Sequence, residues 1–267
     1  MSRVTRYSDG RPVVAYVLLD EHGRSVAERN ADVIFYAAST IKLAVLLAVM
    51  CAVDAGEVAL DETLLCAHRF SSGVHAPDFT MAPEDADPLY PAAGSRLPIS
   101  ELLGMMISRS SNEATNVLVE RIGLSAVADA LQQRGASSSK MERRFGDVAA
   151  ADAGLTNEIS ARDGARIMRC IVAGASTTPN STGFMRGLLI GQEHLRIGAV
   201  VPAGIMWGSK SGDVAGIEHD VAFVGDTKAS GAARSVHYLA VCTRGYDPEQ
   251  GRELIQSTAS ALLAGRL

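Results

Sequence analysis

Ser39 and Lys42 stand three residues apart in Phe35-Tyr36-Ala37-Ala38-Ser39-Thr40-Ile41-Lys42, directly ahead of an almost wholly apolar segment, residues 43–53. Three residues is nearly one helical turn, so on a helix the two side chains share a face and their polar tips come within hydrogen-bonding reach. A serine hydroxyl is a weak nucleophile until a base takes its proton, and a lysine on a buried helix is pushed towards the neutral form that can do so. The spacing by itself leaves a plainer reading open, a helix-capping serine with an incidental lysine. A second Ser-x-x-Lys, Ser137 to Lys140, lies in a polar loop; only the first opens a helix that a core must accommodate.

Two further tripeptides carry polar chemistry. Ser110-Ser111-Asn112 falls in the break between two helical stretches, and Lys210-Ser211-Gly212 falls on a β-prone run. Ser-x-x-Lys, Ser-x-Asn and Lys-(Ser/Thr)-Gly, in that order and over most of the chain, resemble the signature of class A β-lactamases and penicillin-binding proteins. The resemblance implies a serine hydrolase that forms an acyl-enzyme on Ser39 and cleaves an amide, ester or lactam bond. Lys42 then takes or relays the serine proton, Ser110 passes a proton to the leaving atom, and Asn112 orients Lys42 and binds substrate. Lys210 adds a positive charge that helps depress the pKa of Lys42, and Ser211, Gly212 and Asp213 bind substrate. The backbone N–H groups of Ser39 and Asp213 match the oxyanion hole of that family.

The departures from the family carry their own expectations. Class A enzymes hold a deacylating glutamate where this sequence has Phe145, and neither Glu142 nor Asp147 matches it cleanly. β-Lactam adducts are therefore expected to turn over slowly, with Asp147 the nearest acid that a loop rearrangement brings in. The carboxyl of Asp213 is expected to disfavour anionic substrates. Rival readings are a penicillin-binding or transpeptidase-like acyltransferase, and a non-enzymatic binder.

Other chemistries find little support. No Gly-x-Ser-x-Gly, His-Glu-x-x-His, phosphate-binding loop or dinucleotide fingerprint occurs. His219-Asp220 cannot form a triad pair, since neighbours on a strand point to opposite faces. His68, His75, His194 and His237 have no ligand spacing, and the four cysteines are scattered, so reduced thiols, no metal and no cofactor are expected. A net charge of −5 with interspersed signs gives no basic stripe for nucleic acid or membrane. The run 43–53 is too short to cross a bilayer, and with no apolar leader visible the expected location is cytoplasmic, unless a leader was trimmed. The partner expected is a small-molecule amide, ester or β-lactam.

Positioning these groups requires two kinds of element. Residues 12–19 and 24–28 read as a hairpin, and β-runs recur at 205–211, 218–224 and 235–243, ahead of a helix over 248–263. Helices are expected after Ser39 and over 98–108, 113–122, 124–133, 160–173 and 184–190, with irregular connections over 57–95 and 135–157. The pattern is α+β: a β-lactamase-like five-stranded antiparallel sheet flanked by helices, interrupted by an all-α insertion. The expected division is an α/β domain of residues 1–35 and 195–267 and an all-α domain of residues 36–194.

Overall fold

The computed structural model describes residues 4–225 and 236–267. The chain begins with a small ladder of β1 (Val4–Thr5) and β2 (Ser8–Asp9), followed by the expected hairpin, β3 (Val13–Leu19) and β4 (Ser25–Arg29). Strand β5 (Ile34–Tyr36) leads through a 3-10 turn, Ala38–Ile41, into α1 (Lys42–Asp54). Short strands β6 (Thr63–Leu65), β7 (Arg69–Phe70), β8 (Phe79–Thr80) and β9 (Arg96–Pro98) order the connection expected to be irregular. Helices α2 (Ile99–Ser108), α3 (Asn112–Ile122) and α4 (Leu124–Gln133) follow, then β10 (Lys140–Met141), α5 (Val148–Asp152), β11 (Asn157–Ser160), α6 (Ala161–Ala173) and α7 (Pro179–Ile190). Strands β12 (Trp207–Val214), β13 (Ile217–Val224) and β14 (His237–Arg244) and helix α8 (Pro248–Leu263) complete the chain. Residue 235, the expected start of the last strand, lies outside the described residues.

The main sheet has the order β12-β13-β14-β3-β4, antiparallel throughout. Alternation along β3 builds two cores. Ala15, Val17 and Leu19 face one cluster together with α1, α2 and α6, while Leu18 faces a second with Ile255, Ala259 and Leu263 of α8. Helix α1 is apolar on every side, and ten of its thirteen residues are buried, as a helix without a polar face requires.

The start of one helix differs from the sequence expectation for a physical reason. Helix α7 starts at Pro179 rather than 184, because Thr178 accepts a hydrogen bond from Ser181 N and proline occupies the first turn. Its polar opening, Pro-Asn-Ser-Thr, hides the helical periodicity. The mainly helical segment 36–194 is also tied to the sheet: α6 packs on β13, β14 and β3, and β5 pairs with β11 through Tyr36↔Glu158.

Candidate active site

Strand β5 delivers Ser39. Pairing with β11 continues as Ala37 N donates to Asn157 O at 2.9 Å, after which Ala38 takes a left-handed φ of 45° and the chain enters the 3-10 turn. Within that turn Thr40 Oγ1 donates to Ala37 O at 2.6 Å, and no side chain caps its start. The capping reading of Ser39 is thereby set aside: its hydroxyl is half-buried and not committed to the backbone. Gly212 of β12 lies against this turn so closely that an added Cβ would sit 2.7 Å from Ser39 N. Only glycine permits the sheet edge and the Ser39 amide to approach in this way.

Two adjacent serines divide the work at the α2–α3 junction. Ser111 caps α3 by accepting from Ala114 N, whereas Ser110, at φ 64°, turns its hydroxyl to a pair of lysines. Ser110 Oγ is 3.2 Å from Lys42 Nζ and accepts from Lys210 Nζ at 3.0 Å. Lys42 Nζ also donates to Ser110 O at 2.6 Å and to Asn112 Oδ1 at 2.7 Å, so these partners hold the amine that was expected to meet Ser39. A neutral amine has two N–H bonds and one lone pair. The two carbonyl oxygens use both N–H bonds, and the Ser110 hydroxyl is the one group of the three able to donate to the lone pair.

Both lysines are fully buried. Burial holds Lys42 well below its ordinary pKa, and the neighbouring Lys210 charge pushes the same way. Burial likewise brings Lys210 down to about 7. Asn112 is occupied at both ends, since its Nδ2 donates to Asp85 O at 2.8 Å.

Phe145 occupies the position opposite Lys42, with its ring centroid 4.5 Å from Nζ. Asn116 clamps the Phe145 backbone, accepting from its N–H at 2.9 Å and donating to its carbonyl at 2.8 Å. Asp147 is locked rather than poised: buried, it caps α5 at Ala150 N and accepts from Ser72 Oγ and Gly73 N. Glu142 accepts from Thr156 N and pairs with Lys140 at 3.1 Å, so the second Ser-x-x-Lys carries an ion-paired lysine.

A cavity of about 530 Å³ opens at Ser39, lined also by Tyr36, Glu84, Asp85, Phe145 and Asp213. Ser211 is buried, and its carbonyl accepts from Lys210 at 2.9 Å. Asp213 Oδ1 lies 3.3 Å from Arg196 Nη2, and the same guanidinium donates to the buried Glu218 at 2.9 Å. Two carboxylates thus share one cation beside the cleft. Arg196, Asp85 and Arg143 escape sequence reasoning because each stands in a stretch without periodicity or motif.

His219 and Asp220 face apart. His219 Nε2 donates to Tyr36 O at 3.0 Å, supporting β5, and burial lowers its pKa to about 4. Asp220 Oδ2 accepts from Ile197 N at 2.8 Å. Among the described residues no cluster of three or more His, Cys, Asp or Glu side chains is arranged to hold a metal ion, and no helix is long and apolar enough to cross a membrane.

The chain matches the model of the beta-lactamase enzyme family over residues 1–265. Among solved structures it is similar to a beta-lactamase from Sphaerobacter thermophilus DSM 20745, at 28% identity and TM-score 0.77, covering 94% of this chain and 90% of that one. It shares its fold with PBP-A at 24% identity and TM-score 0.76, covering 94% and 88% of the two chains. The fold is likewise that of a beta lactamase from Xanthomonas campestris pv. campestris, at 19% identity and TM-score 0.76, covering 97% and 92%. No curated protein matches it.

Proposed function

Because the chain belongs to the beta-lactamase enzyme family, we propose that Ser39 is its nucleophile, forming an acyl-enzyme with a small amide, ester or lactam and releasing it slowly to water. The observation that carries this reading is the shared contact of Lys42 and Lys210 with the Ser110 hydroxyl, next to an uncommitted serine at a cavity. As the Ser110 hydroxyl turns from Lys42 towards the leaving atom, it frees the lone pair of neutral Lys42, which takes the Ser39 proton as Oγ bonds to the carbonyl carbon. The leaving nitrogen or oxygen receives a proton through Ser110 as its bond to that carbon breaks, and Lys210 steadies the relay. The close approach of Gly212 to Ser39 N supports an oxyanion site between the Ser39 and Asp213 amides.

Slow release follows from the ring of Phe145, which can activate no water. That feature also favours a second reading, a penicillin-binding protein or an acyltransferase that passes the acyl group to an amine. One similar structure is a PBP-A mutant in an acyl-enzyme complex with penicillin G. Product analysis with added amine separates the two outcomes.

Intact-mass measurement with β-lactams and activated esters tests the nucleophile. A single adduct is expected, mapping to Ser39 and absent in Ser39→Ala, with Lys42→Ala acylated about a hundredfold more slowly or worse. An adduct on Ser137 or any other serine overturns the assignment.

A further inference from the structure

The β1–β2 ladder stands outside the main sheet, yet its connecting residues, Arg6 and Tyr7, line the same cavity as Ser39. It is fastened on both sides of the cleft. On the sheet side Thr5 Oγ1 donates to Ala215 O at 3.0 Å, and Gly216, at φ 80°, comes so near that an added Cβ would lie 3.2 Å from Ser8 Cβ. On the helical side Arg6 Nη2 donates to Asp152 Oδ1 at 2.5 Å, at the end of α5. Between these points the Tyr7 and Tyr36 rings stack, with centroids 4.0 Å apart and planes 19° apart. The Arg143 guanidinium lies 5.6 Å from the Tyr36 centroid and donates to its hydroxyl at 3.0 Å.

We propose that this N-terminal ladder is the end wall of the acyl pocket, and that it selects short acyl groups bearing a flat aryl ring while turning away long chains. The inference rests on the reading of Ser39 as nucleophile. A ring placed beside the Tyr7–Tyr36 stack gains offset or edge-to-face contact and buries its remaining surface on Phe145, Val148 and Ala151, which line the same cavity. Arg6 and Tyr7 share the cavity lining with Val214 and Ala215 at the end of β12 and with Val148 and Ala151 of α5, so a chain that extends to this end meets them. The Arg6–Asp152 pair is exposed at 41% and 69%, and such pairs contribute little. The ring stack is therefore the durable part of the wall, and Tyr7 is the residue to change.

The test compares kcat/KM of the full chain on the p-nitrophenyl esters of acetate, phenylacetate and decanoate. Tyr7→Ala is expected to lower the phenylacetate value about fivefold, leave acetate within about twofold and raise decanoate about fivefold, the scale of one aromatic contact. Tyr7→Phe, which keeps the ring, should behave as the wild type. A circular-dichroism melt matching the wild type shows that the variant is folded. Equal effects on all three esters, or none, overturn the wall. Phenylacetamide binding to Ser39→Ala, followed by saturation-transfer NMR with and without Tyr7→Ala, reads the wall without the nucleophile. Weaker binding there upholds the wall even if no ester acylates Ser39, whereas unchanged binding overturns it.

Discussion

Lys210 binds its proton far more weakly in the folded protein than in the unfolded chain, about 7 against an ordinary 10.5, because burial strips its water. Between those values the unfolded chain holds more protons, so stability rises with pH from about 7 to 10.5, and below 7 the fold carries the full penalty of a buried cation. Lys210→Met should then raise the unfolding midpoint by about 3 °C or more at pH 6, with the gain shrinking above pH 7. Calorimetry across pH 6 to 10 measures it, and a gain independent of pH would mean that the lysine is not the titrating group. Acylation should fall as pH climbs past about 7, since the relay then loses the Lys210 charge. For deacylation we propose a different residue. Asp85 lines the cavity, and burial raises its pKa, with the neighbouring Glu84 charge pushing the same way, which suits a weak general base. Asp85→Asn should lengthen the adduct lifetime about tenfold, measured by mass spectrometry after removal of excess lactam.

At the scale of elements, the edge of β12 and the start of α5 behave differently. Asp213 lines the cleft from the strand edge, its carboxylate 57% exposed and sharing Arg196 with Glu218, which also has Arg252 at 3.9 Å, so the Asp213 carboxylate is the charge that repels an incoming anion. Asp213→Ala leaves Arg196 with Glu218 alone and removes that repulsion. Acylation by penicillin-like anions should rise about fivefold, equivalent to about 1 kcal/mol, while a neutral ester changes little. Stopped-flow acylation with both substrates decides it, and an equal change for the two would show that charge is not the cause. The α5 start is structural: Asp147→Ala removes a cap together with the Ser72 and Gly73 contacts. A midpoint lowered by about 3 °C or more with unchanged adduct lifetime is expected; a changed lifetime would return Asp147 to the chemistry.

Across the whole molecule, what the sequence revealed was whatever a local pattern encodes. The β-prone run 12–19, the unbroken apolar run after Lys42 and the glycine-bounded strands are local, and with the three short motifs they make the sheet, the buried helix and the lysine pair foreseeable. What escaped is set by distant pairing: Tyr7 reaching Tyr36, Arg196 reaching Asp213 and Asp147 reaching Ser72 depend on where loops return. The same long-range pairing has a consequence in time. The centre of the sheet joins β3 to β14, with Leu19 opposite Tyr238. At roughly 5–20 residues per second, a ribosome leaves the apolar strand β3 without its inner neighbour for on the order of ten seconds or more. Until β14 emerges, Val17 and Leu18 sit on a strand paired with β4 on one edge and open on the other, an edge able to pair with another chain.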